Sequence, residues 1–159
     1  MDLTSLLSPD LVKIGMSARS KTEAIAELVD FLVARGKIDP KDRPAALAAV
    51  LAREDSLSTG MEHGVALPHG SVDCVRELTG ALGVHHAGID FASLDGRPAH
   101  LIVCLVVPRS STSRHVRTLA GIARLLLNES LRASLLTAKT PEEAMAMIST
   151  EEAAEGLDL

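Results

Sequence analysis

The stretch Gly64-Val65-Ala66-Leu67-Pro68-His69-Gly70 sets an imidazole where it could act as a nucleophile. The short apolar run Val65 to Leu67 is bounded by turn-forming residues and reads as a brief buried strand that delivers His69 into a turn. Proline fixes φ on one side and glycine permits close backbone approach on the other. The ring can therefore be held with one nitrogen outward, beside unshielded backbone N–H groups. The ordinary alternative is a turn histidine with no chemistry.

Two distant residues have settings that suit an anion near such a ring. Arg53 lies three residues after Val50 and seven after Ala46 in a helical pattern, which places it on or beside the buried stripe; alternatively it complements the C-terminal end of the helix dipole. His115 begins the series His115, Leu119, Ile122 and Leu126. That spacing turns it toward the core-facing stripe in a first helical turn, where unpaired N–H groups favour anions. A histidine satisfied by a nearby backbone group would show the same spacing.

Other chemistries find less support. The chain has no GxxxxGK[ST] loop and no GxGxxG, so neither a nucleoside triphosphate nor a dinucleotide is indicated, and no cofactor is expected. His63, His85, His86 and His100 lack metal-ligand spacing, and the adjacent His85 and His86 would face opposite sides of a strand. No metal is expected. A GxSxG nucleophile elbow is also missing. Cys74 and Cys104 form no CxxC pair, and Cys104 sits inside the apolar run 101–107 as a core thiol.

Composition narrows the class. A chain of 159 residues with 47% hydrophobic residues and a formal net charge of -5 fits one soluble domain with a sizeable core. With two Phe and no Trp or Tyr it has few stacking platforms, and its acidic balance opposes phosphate-backbone binding, so nucleic acid is not an expected partner. The opening Met1-Asp2-Leu3-Thr4 lacks a basic leader, and the longest strongly apolar run is too short to cross a bilayer; we expect a cytoplasmic protein without direct membrane insertion.

Several elements must position the three residues. A strand is expected at Leu11 to Ile14, followed by a helix capped by Ser20, with Glu23 three residues on and an apolar stripe ending near Gly36. A second helix runs from about Asp42 to Asp55. A strand is expected from about Leu78 to Val84, and Leu101 to Val107 is the strongest in the chain, continuous enough to require cover on both faces. Pro108 ends it, and the basic, hydroxyl-rich segment 109–114 leads into a helix over about 112–127. Shorter helices at about 130–138 and 142–148 follow. The fold expected is α/β (α+β), a single domain over 1–150 with a mixed sheet of about five strands sandwiched between helices, and 151–159 is expected to fray as an acidic tail.

The segments Arg53-Glu54-Asp55-Ser56-Leu57-Ser58-Thr59-Gly60 and Gly64 to Gly70 together resemble the active-site block of the enzyme IIA domains of the bacterial phosphotransferase system, in its fructose/mannitol/nitrogen-regulatory class. The likeness spans nearly the whole chain, including the opening Leu3 to Pro9, the strand at 101–107 and the helix starting His115-Val116-Arg117. It is most similar to the stand-alone nitrogen-regulatory subgroup. The resemblance implies that His69 accepts a phosphoryl group, with attack by Nε2, and that His115 and Arg53 stabilise that group. It implies a histidine-containing phosphocarrier protein as donor, and an enzyme IIB or a regulated kinase or transporter downstream. A regulatory binding module in which phosphoryl turnover is dispensable is the alternative. One departure is the loop before His115, which is basic here, with Arg109, Arg114 and then Arg117, where that family is expected to be acidic; such a surface favours an acidic partner.

Overall fold

The computed structural model describes residues 3–157. Its described elements are α1 (Leu3–Leu6), β1 (Val12–Ile14), α2 (Lys21–Ala34), α3 (Arg43–Ser56), β2 (Val65–Ala66), β3 (His69–Val72), β4 (Thr79–Ile89), β5 (Ala99–Pro108), α4 (Thr112–Leu125), α5 (Glu129–Thr137) and α6 (Pro141–Leu157). The strands form one mixed five-stranded sheet ordered β1-β4-β5-β2, with β3 also on β5. β1 runs parallel to β4, β4 antiparallel to β5, and β2 and β3 parallel to β5.

Residues 101–108 of β5 are all buried, and α2, α4 and α5 each contact that strand. Consecutive side chains of a strand point to opposite faces, so burial of them all demands helices on both. The apolar run thus lies at the centre of the core, with Cys104 inside it. Burial pushes that thiol's pKa up to about 12.

Local signals place the helices. Ser20 accepts the Glu23 N–H at 3.2 Å and starts α2, while Asn128 accepts the Leu131 N–H at 2.8 Å and starts α5. Pro44 sits in the first turn of α3, where its missing N–H costs nothing.

Three expectations change. β4 continues past Val84 to Ile89, with a shift in its register on β5 between those residues. There the buried His85 accepts the Gly88 N–H on Nδ1 at 2.9 Å, and its Nε2 donates to the Ala18 carbonyl at 2.7 Å. A satisfied, neutral imidazole holds this irregularity, while His86 points to solvent. Residues 151–157 do not fray but extend α6, tied to the body by Asn128 Nδ2 donating to Glu151 at 2.6 Å and the Thr4 N–H donating to Glu152 at 3.0 Å. The last two residues of the expected tail, 158–159, lie outside the described residues. Third, His69 does not occupy a turn; it opens β3.

Candidate active site

The edge that carries His69 is one strand interrupted at Leu67-Pro68. Val65 lies opposite Leu101 and His69 opposite Leu105, so four residues separate both pairs and the register passes through the break unshifted. Pro68 has no N–H to give, but its carbonyl still accepts from Leu105 at 3.0 Å. The Leu67 N–H turns instead to the Thr59 carbonyl at 3.2 Å. The Leu67 carbonyl is taken by His69 itself, whose Nδ1 donates to it at 2.8 Å. A carbonyl only accepts, so the proton is on Nδ1 and the lone pair on Nε2.

α3 reaches the same place because Gly70 lets it. A Cβ on Gly70 would stand 2.7 Å from the Val50 nitrogen and 2.8 Å from the Ala49 carbonyl carbon, so helix and strand backbones touch here. Arg53 lies about one turn further along the helix, which carries it alongside His69. Its Nη1 donates to the Leu57 carbonyl at 2.8 Å, fixing one arm of the fork to the loop that follows the helix.

From the other side, β5 ends at Pro108 beside Val72, and α4 begins four residues on, bringing His115 over the end of β3. Arg53, His69, Gly70, Ser71, Val107, His115, Val116 and Leu119 line one open cavity of about 310 Å³. The three residues singled out in the sequence are brought together there.

Their environments differ. His69 and Arg53 are half-buried, whereas His115 is 7% exposed and its Nδ1 has no hydrogen-bond partner among the described residues. Burial, reinforced by the Arg114 guanidinium, holds the His115 pKa below the ordinary 6.5. The ring is neutral at neutral pH, with one N–H and one lone pair.

The sequence reading missed Glu54, which is 3% exposed. Its oxygens accept the Thr59 N–H at 2.9 and 3.1 Å, it accepts the Thr59 hydroxyl, and Lys21 Nζ lies 3.3 Å away. This knot holds the Leu57–Thr59 loop, the same loop that anchors Arg53. The signal was there: Ala46, Val50 and Glu54 recur every four residues, so the carboxylate continues the buried stripe and Arg53 lies at its edge.

The basic approach to the cavity is partly neutralised. Arg109 Nε is 3.5 Å from Asp73, and its Nη2 donates to the Ser71 carbonyl at 3.4 Å. Val116, which lines the cavity, and Leu57, which follows α3, are both exposed.

Residues 5–151 match the model of a family described as "Phosphoenolpyruvate-dependent sugar phosphotransferase system, EIIA 2". Two relatives are each 33% identical. One is the "PTS system fructose-specific EIIABC component" of Bacillus subtilis, aligned over 149 residues, 94% of this chain and 23% of that protein. The other is the "PTS system fructose-specific EIIA component" of Haloferax volcanii, aligned over 141 residues, 89% of this chain and 90% of that one. The chain thus spans under a quarter of the length of the first and nearly all of the second. Among solved structures, the nitrogen regulatory protein IIA-Ntr of Neisseria meningitidis superposes with a TM-score of 0.82 at 29% identity, covering 92% of this chain and 98% of its own.

Proposed function

The chain belongs to the EIIA 2 family of the phosphoenolpyruvate-dependent sugar phosphotransferase system, and on that premise we propose that it is a cytoplasmic phosphohistidine carrier working through His69. The donor in this reading is a histidine-containing phosphocarrier protein. The phosphoryl group then passes to an enzyme IIB or is held as a regulatory signal. The observation that carries the reading is the Nδ1 hydrogen bond to the Leu67 carbonyl, which leaves the Nε2 lone pair in a cavity shared with Arg53 and His115.

The chemistry balances without a free proton. The Nε2 lone pair attacks phosphorus in line with the donor's N–P bond; a P–Nε2 bond forms, and the donor's nitrogen leaves with the bonding pair. His69 keeps its proton on Nδ1 throughout. The ring becomes a phosphorylated imidazolium, whose positive charge the Leu67 carbonyl dipole stabilises. Negative charge spread over the phosphoryl oxygens meets the Arg53 guanidinium and a neutral N–H of His115. One cation and one neutral donor stabilise the group less than two cations would, which suits a carrier that must release it.

Incubation with phosphoenolpyruvate, enzyme I and the phosphocarrier protein is expected to yield an acid-labile, base-stable phosphate on this chain. Persistence of that phosphate in His69→Ala would remove the assignment. Likeness to the Neisseria nitrogen regulatory protein favours a second reading, regulatory binding without turnover. Equal target binding by the unmodified protein, His69→Ala and His69→Asp would favour it.

A further inference from the structure

Hydrogen bonds lead from the buried Glu54 carboxylate to both Arg53 and His69. On one route, Arg53 Nη1 donates to the Leu57 carbonyl at 2.8 Å. On the other, the Leu67 N–H donates to the Thr59 carbonyl at 3.2 Å, and the Leu67 carbonyl accepts His69 Nδ1 at 2.8 Å. Leu57 and Thr59 belong to one short segment after α3, and Glu54 closes that segment back onto the helix by accepting the Thr59 N–H on both oxygens and the Thr59 hydroxyl as well. We propose that Glu54 is a positioning residue for phosphoryl transfer: its grip on Thr59 sets the placement of the Arg53 guanidinium and the tautomer of His69 together.

Two observations separate this role from support of the fold alone. The segment has other anchors: Ser58 Oγ donates to the Phe91 carbonyl at 2.6 Å, the Leu94 N–H to the Gly60 carbonyl at 3.3 Å, and the Met61 N–H to the Val65 carbonyl at 2.8 Å. These keep it on the body of the protein without Glu54. The Thr59 N–H and hydroxyl, by contrast, have no partner but Glu54 among the described residues, so it is the orientation of Thr59 that depends on the carboxylate.

The second is burial. Glu54 is 3% exposed, whereas Lys21, 3.3 Å away, keeps part of its side chain in water. Desolvation offsets most of the attraction in such a pair, so it is a weak source of net stability. What the carboxylate supplies is direction, because charge-assisted bonds from both the N–H and the hydroxyl of one residue fix that residue in distance and in angle.

Long-range proton–nitrogen NMR of the unmodified protein reads the His69 tautomer, and single-turnover transfer from the phosphorylated phosphocarrier protein reads the assembled site, each on variants shown to be folded by their unfolding curves. In Glu54→Ala, His69 is expected to lose its uniform Nδ1–H form and take up the Nε2–H form that a free imidazole prefers. Transfer should slow by about 10–10², the scale set by a misplacement of about 1 Å. In an Arg53→Ala background the same substitution should slow transfer by less, because one of its two routes is already gone. Glu54→Gln keeps an acceptor for the Thr59 N–H and should recover most of both signals. If Glu54→Ala does not fold, Glu54→Asp, which keeps the charge but draws it back by one methylene, is expected to show the same tautomer change. The parent tautomer in the folded variants, a slowing undiminished by Arg53→Ala, or equal impairment in Glu54→Gln would overturn the proposal. The rate measurements rest on the carrier reading and the NMR does not, so failure of that reading is distinguishable from failure of this one.

Discussion

The side chain of His69 donates through Nδ1 to the carbonyl of Leu67, two residues earlier in the same interrupted strand, at 2.8 Å. The backbone that positions the ring thereby also selects its tautomer, and only Nε2 keeps a lone pair. Phosphorylated protein analysed by nitrogen-coupled phosphorus NMR is therefore expected to carry phosphorus on Nε2. A phosphoryl group found on Nδ1 would mean that this hydrogen bond does not control the chemistry.

Arg53 is the one cation among the described residues lining the His69 cavity. Arg53→Ala should slow single-turnover transfer by about 10²–10³, the range for loss of one donor to developing charge. Arg53→Lys should fall between, since an ammonium keeps the charge but cannot hold the Leu57 carbonyl and a phosphoryl oxygen with one rigid fork. Equal rates for all three proteins would place Arg53 outside the reaction.

Gly70 tests whether close approach of helix and strand builds the site. Adding one methyl 2.7 Å from the Val50 nitrogen forces α3 away from β3, and overpacking of this kind costs about 1–3 kcal/mol. Gly70→Ala should lose that much in denaturant unfolding and should also transfer phosphate more slowly, because Arg53 moves with its helix. Unchanged stability would contradict the contact.

His115 predicts a pH dependence. Its folded pKa lies below the ordinary 6.5, so as pH falls through that value the unfolded chain takes up a proton before the folded chain does. Stability associated with the neutral ring is present in full above that pH and is lost on acidification toward the folded pKa. Unfolding free energy measured from pH 7 to pH 5 should therefore fall less steeply in His115→Gln than in the parent. Identical slopes would show that the folded protein accommodates the charged ring.

What could be read along the chain was what depends on near neighbours. The Ser20 cap, the period of α4 that turns His115 inward, the apolar run 101–107 of β5 and the Pro68-His69-Gly70 punctuation follow from contacts within a few residues, and the mixed sheet between helices follows from where those segments can hide. The same periodicity held the clue to Glu54, which passed unread because a buried carboxylate makes sense only once Lys21 and Thr59 are beside it. Three outcomes belong to the tertiary structure alone: the continuation of α6 to Leu157, the unbroken register across Leu67-Pro68, and the meeting of Arg53 with His69. Each is settled by pairs far apart in sequence, Thr4 with Glu152, Val65 with Leu101, Gly70 with Val50, whose distances are set by how whole elements pack and not by local preference.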